Sequence, residues 1–120
     1  MAERSRILIV DDSTHVRKAI SAFVSTLSWL QVVCEASDGE EALQMIENQP
    51  PDMVLMDVKM PAIGGLEATR MIKKRWPEIK IIILTLYADY LDQARQAGAD
   101  AFLVKGCPME EISSTIYSLN

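Results

Sequence analysis

Cysteine is scarce in this chain of 120 residues: Cys34 and Cys107 are the only two. Two thiols cannot form a disulfide framework, and their spacing fits no zinc pattern. Histidine occurs once, at His15, so imidazole-rich metal chemistry is also excluded. Basic residues are outnumbered, 12 against 17 acidic, for a net charge of −5. Direct nucleic acid contact needs a basic surface, and this chain lacks one. Apolar runs are short. The start, "MAERSRILIV", has only a brief apolar stretch, too short for a signal peptide core or a membrane span. Linkers, repeats and low-complexity tracts are missing as well. These absences point to a reduced, cytoplasmic protein with no membrane contact.

What is present suits one domain over residues 1–120. Apolar residues make up 49% and charged residues 24%, and the length supports one real core. Five apolar runs stand out: "RILIV", "LQVVC", "DMVLM", "KIIIL" and "DAFLV". Those that are almost wholly Ile, Val and Leu suit strands buried on both faces of a parallel sheet. The runs recur roughly every 20 to 30 residues, which leaves room for one crossover helix each.

Helical periodicity fills the gaps. Val16, Ala19, Ile20, Phe23, Val24 and Leu27 predict a first helix, capped by Ser13 or Thr14. Asp38 caps a second helix, which ends before Pro50. A third spans about Leu66 to Arg75. Tyr87, Tyr90, Leu91, Ala94 and Ala97 share a face of a fourth, ended by Gly98. A fifth carries Pro108 in its first turn and a stripe of Met109, Ile112, Ile116 and Leu119. The reading is α/β, (βα)5 and doubly wound: a five-stranded parallel sheet in the order 2-1-3-4-5. The second and fifth runs have the most polar content, as edge strands should.

Ligands of such sheets bind beyond the carboxyl ends of the strands, where strand order reverses. The first run ends on Asp11 and Asp12, the third on Asp57, the fourth on Thr85 and the fifth on Lys105. Each residue alone has a bland explanation as a cap, a terminator or a solvated lysine. Together, on this fold, they form one rim of three carboxylates, a hydroxyl and an ammonium. Crowded carboxylates repel, and a divalent cation relieves that. All-oxygen ligands select Mg2+, with Mn2+ as the alternative. Lys105 and Thr85 could then serve phosphate oxygens, leaving Asp57 as a nucleophile toward phosphorus.

Asp11-Asp12, Asp57 in "LMDVKMP", Thr85 and Lys105, in this order, resemble the receiver domain of two-component response regulators, over essentially the whole chain. The resemblance implies a flavodoxin-like fold. It also implies that Asp57 is the phosphoacceptor, taking a phosphoryl group from a sensor histidine kinase or a small acyl phosphate. By the same resemblance, Asp12, Asp57 and the Lys59 carbonyl hold Mg2+, with Asp11 acting mostly through water. Thr85 and Phe102 would be the switch pair. The output face would be the fourth helix, fifth strand and fifth helix, meeting an effector domain or a dimer partner. "QAGADAFLVKG" is similar to receivers that precede a helix-turn-helix DNA-binding domain, so the chain is expected to be the N-terminal part of a longer, transcription-controlling regulator.

Two positions depart from the family. Gly106 stands where many members have proline, and Leu86 where the residue is often small. Lys59 and Tyr87 occupy positions that tune dephosphorylation in the family. A stand-alone adaptor is the alternative function. An aspartate-nucleophile phosphatase ranks lower, since the second aspartate such enzymes need is replaced by Lys59. A flavin carrier would need a hydroxyl-rich loop where "DDSTHVRKA" stands. His15 reads as an exposed helix residue, and "AIGGLEA" lacks the pattern of a phosphate loop.

Overall fold

The computed structural model describes residues 4–120. Alternating strands and helices run β1 (Ser5–Val10), α1 (Thr14–Val24), β2 (Leu30–Ala36), α2 (Gly39–Asn48) and β3 (Met53–Met56). They continue as α3 (Gly65–Arg75), β4 (Lys80–Thr85), α4 (Leu91–Ala97), β5 (Ala101–Val104) and α5 (Met109–Leu119). All strand pairs are parallel, in the order β2-β1-β3-β4-β5. Strand order reverses between β1 and β3.

The period of two along each strand sorts the core into two layers. Leu8, Val10, Val54, Met56, Ile81 and Ile83 face Ala42 and Ile46 of α2, Ala68 and Ile72 of α3, and Ala94 of α4. Ile7, Ile9, Leu55, Ile82 and Leu84 face Ile20 and Val24 of α1 and Ile112 and Ile116 of α5. The central strands are therefore apolar throughout. The edge strands β2 and β5 are only partly buried.

Local signals place the helix ends. The Ser13 hydroxyl accepts from Val16 N at 3.2 Å, and Asp38 accepts from Glu41 N at 2.8 Å. Gly98 takes φ +99° and closes α4.

Four helix-level expectations need correction. Leu27 lies beyond α1, which stops at Val24, although Leu27 still packs against the α1–α5 layer. Tyr87 and Tyr90 lie outside the fourth helix: Tyr90 ends a single 3-10 turn at Ala88–Tyr90 that precedes α4, and Tyr87, extended and exposed, comes before that turn. Pro108 is the cap of α5 (ψ 144°) rather than a first-turn residue. Met109, at the exposed start of α5, is a rim residue and not part of the buried stripe.

Candidate functional site

The sheet ladder delivers the polar residues. Asp57 N donates to Val10 O at 3.0 Å, Asp11 N to Ala36 O at 3.1 Å and Lys105 N to Thr85 O at 2.7 Å. Pairing thus continues one residue past the strands and brings Asp11, Asp57 and Lys105 to one rim. α3 presses on this rim from the side. A Cβ at Gly65 would lie 1.8 Å from Asp57 O, so only glycine lets the helix start there. The "GG" dipeptide was the signal for this contact, yet it reads in sequence only as a failed phosphate loop.

Carboxylate oxygens of Asp11, Asp12 and Asp57 lie within 4.8 Å of one another. Asp11 and Asp57 are buried, while Asp12 is exposed. Lys105 Nζ bridges the buried two, 2.8 Å from Asp11 Oδ2 and 3.0 Å from Asp57 Oδ2. Asp57 Oδ1 accepts from Val58 N at 2.8 Å, and Asp11 Oδ1 from Ser13 N at 2.9 Å. Each Asp57 oxygen has one donor and keeps a lone pair for a further partner.

Burial pushes the Asp57 carboxyl above its ordinary range; Lys105 opposes the rise and Asp11 adds to it. Burial alone would lower the Lys105 ammonium, but hydrogen bonds to Asp11 and Asp57 outweigh it and hold that pKa up. The donor set is all oxygen and carries surplus negative charge, which fits a hard divalent cation such as Mg2+.

Asp12 and Asp57 open onto a cavity of about 660 Å³ between α1 and the start of α5, with Lys105, His15, Leu86 and Tyr87 on its walls. His15 is exposed, as its sequence position predicts. Thr85 is fully buried and does not line the cavity; its Oγ1 accepts from Tyr87 N at 3.4 Å. Lys59 places its ammonium 4.2 Å from the centre of the Tyr87 ring at the mouth. Phe102 is half-buried and packs on the α2–α4 layer. Gly106 follows Lys105 at φ +96°, where glycine is favoured.

A doubly wound sheet with an acidic trio and a lysine at its switch point defines a class: signalling receivers built on this fold. The comparisons agree. Residues 7–117 match the family described as "Response regulator receiver domain", and the chain belongs to that family. It is 41% identical over 113 residues to the response regulator GacA of Pseudomonas aeruginosa, covering 92% of this chain and 53% of GacA. With the response regulator UvrY of Escherichia coli it is 42% identical over 115 residues, covering 94% of this chain and 53% of UvrY. The chain thus spans about half the length of the curated relatives it matches. Among solved structures, a LuxR-family two-component response regulator from Aurantimonas superposes with TM-score 0.92 at 31% identity, covering 98% of this chain and 85% of that one.

Proposed function

We propose that this receiver is a phosphorylation-controlled switch whose phosphoacceptor is Asp57. One observation carries the reading: Asp57 sits buried at the switch point, bridged by Lys105 and clustered with Asp11 and Asp12. In the transfer, an Asp57 oxygen bonds to phosphorus as the phosphorus–nitrogen bond of a kinase phosphohistidine breaks and the imidazole leaves. With an acyl phosphate, the phosphorus–oxygen bond breaks and a carboxylate leaves. Lys105 stays beside the new phosphoryl group and pairs with one of its oxygens. Asp11, Asp12, Asp57 and the Lys59 carbonyl would hold Mg2+, which when bound screens the carboxylates and the incoming phosphoryl oxygens.

The new group adds about −1.5 to −2 charges and three acceptors. Thr85 can then give up its place beside the Tyr87 amide and donate to a phosphoryl oxygen, leaving room for Phe102 to turn inward. α4, β5 and α5 pass the change to an effector or dimer partner. The relatives' names and lengths support a longer, transcription-controlling regulator of which residues 1–120 are the receiver. Lys59 over Tyr87 sets how readily water reaches the phosphoryl group.

The test is mass spectrometry after incubation with acetyl phosphate and Mg2+. The expected result is one phosphoryl group on Asp57, lost in Asp57→Asn. Label on a serine, threonine or His15 would overturn the mechanism.

A further inference from the structure

Arg17 lies in α1 with its side chain only 13% exposed, and the transfer chemistry above makes no use of it. Each nitrogen of its guanidinium has a separate partner. Nη1 donates to the main-chain carbonyl of Asp11 at 2.7 Å, Nε to Glu35 Oε1 at 3.2 Å and Nη2 to Thr14 Oγ1 at 3.5 Å. Lys18 Nζ joins the same Glu35 oxygen at 3.2 Å from a more exposed position.

Glu35 reaches Arg17 because β2 carries a bulge. The β1–β2 register passes from Ile7↔Val32 directly to Leu8↔Cys34, so Val33 is an extra residue. Leu30 and Val32 belong to the α1–α5 layer, whereas Cys34 packs on the α2–α4 layer and Ala36 is buried within it. Unbroken alternation would have turned Glu35 toward α2. The inserted residue re-aims it toward α1.

The held carbonyl is well placed to matter. Asp11 C=O and Asp12 N–H share one planar peptide, so fixing the oxygen fixes the rotation of that plane. Asp11's carboxylate is already held by Lys105 and Ser13 N. Asp12's carboxylate has no hydrogen-bond donor among the described residues, and the peptide before it sets where it points.

We propose that Arg17, steered by Glu35 of the bulged strand, is a positioning residue for divalent-metal binding by the Asp11–Asp12 loop. The proposal rests on reading the acidic trio as a Mg2+ site. Arg17 touches no ligating carboxylate and acts through the Asp11–Asp12 peptide.

Charge and positioning predict opposite signs, which makes the test decisive. Deleting a nearby positive charge should tighten cation binding if only Coulomb forces act. Loss of positioning should weaken it. The Mg2+ dissociation constant is read from amide shifts of Asp11, Asp12 and Asp57 in 15N-labelled wild type, Arg17→Ala and Arg17→Lys. Outer-shell partners of metal ligands are worth about 10-fold or more in affinity. Arg17→Ala is expected to bind about 10-fold more weakly, with the Asp12 amide displaced before metal is added. Arg17→Lys keeps the charge but loses the three-armed geometry, and a weaker constant is expected there too. If Arg17→Ala does not fold, Arg17→Lys decides alone. Unchanged or tighter binding in the folded variants, even with a lower melting temperature, overturns the proposal and leaves Arg17 a structural residue. A wild type whose three amides ignore Mg2+ overturns the metal-site reading, and this proposal with it.

Discussion

Two aspartate–lysine pairs stand at opposite ends of the sheet, at the same separation. At the amino end, Lys73 Nζ lies 3.0 Å from Asp100 Oδ2. That oxygen also accepts from Ile81 N at 2.8 Å, and Lys73 donates further to Pro77 O and Ile79 O at 3.1 and 2.9 Å. One ammonium meets one carboxylate, and all three donors are satisfied. At the carboxyl end, Lys105 lies 3.0 Å from Asp57 and 2.8 Å from Asp11, with Asp12 close by. One ammonium faces three carboxylates, which leaves a formal surplus of two negative charges. The balanced pair clamps α3 to the loop before β5. The unbalanced set has a surplus charge that a bound metal cation, or protonation of Asp57, would reduce.

The largest way to break this comparison is to neutralise one aspartate at each end. Asp57→Asn should abolish phosphoryl incorporation from acetyl phosphate, whereas Asp100→Asn should retain it, both read by intact mass. Next is the metal. Asp12→Ala should weaken Mg2+ binding by about 10-fold or more, while Asp100→Ala leaves the constant unchanged in the same calorimetric titration.

Stability should show the reverse ranking. Asp100→Ala strands the partly buried Lys73 and the Ile81 N–H, and should destabilise by about 2 kcal/mol in urea unfolding. Asp57→Asn should instead stabilise the metal-free protein at neutral pH, because burial penalises the ionised carboxylate and asparagine is neutral. The sign follows from linkage. Asp57's folded pKa is raised, so its favourable contribution is complete in acid, below the ordinary carboxylate value, and is lost as pH rises through the folded pKa. The gain from asparagine should therefore shrink toward zero as pH falls below the ordinary carboxylate range. Equal gains at pH 7 and in acid would break the comparison.

Much of this site was legible because its residues terminate apolar runs. Asp11, Asp12, Asp57 and Lys105 all end strands, and a known strand order brings those ends together. Glu35 was legible only as edge-strand polarity, because "LQVVCEA" does not show which valine is the bulged one. Arg17 reads as one more charge on a helix until its carbonyl partner is seen. Tyr87 fits the periodicity of the fourth helix, but an extended residue and a 3-10 turn put its ring over Lys59 instead. The packing of Gly65 against Asp57 O is a contact between an element end and a distant strand exit, and no local pattern encodes it.

Periodicity and capping are local physics, so the chain's order of residues determined the elements, their two-faced burial and which side chains reach the carboxyl rim. Distances between those side chains are not local. The bridge from Lys105 to two carboxylates, the turn of Glu35 toward Arg17 and the withdrawal of Thr85 toward Tyr87 N were decided only by tertiary structure. Each depends on register and packing between segments far apart in the chain, where a one-residue shift sends a side chain to the opposite face.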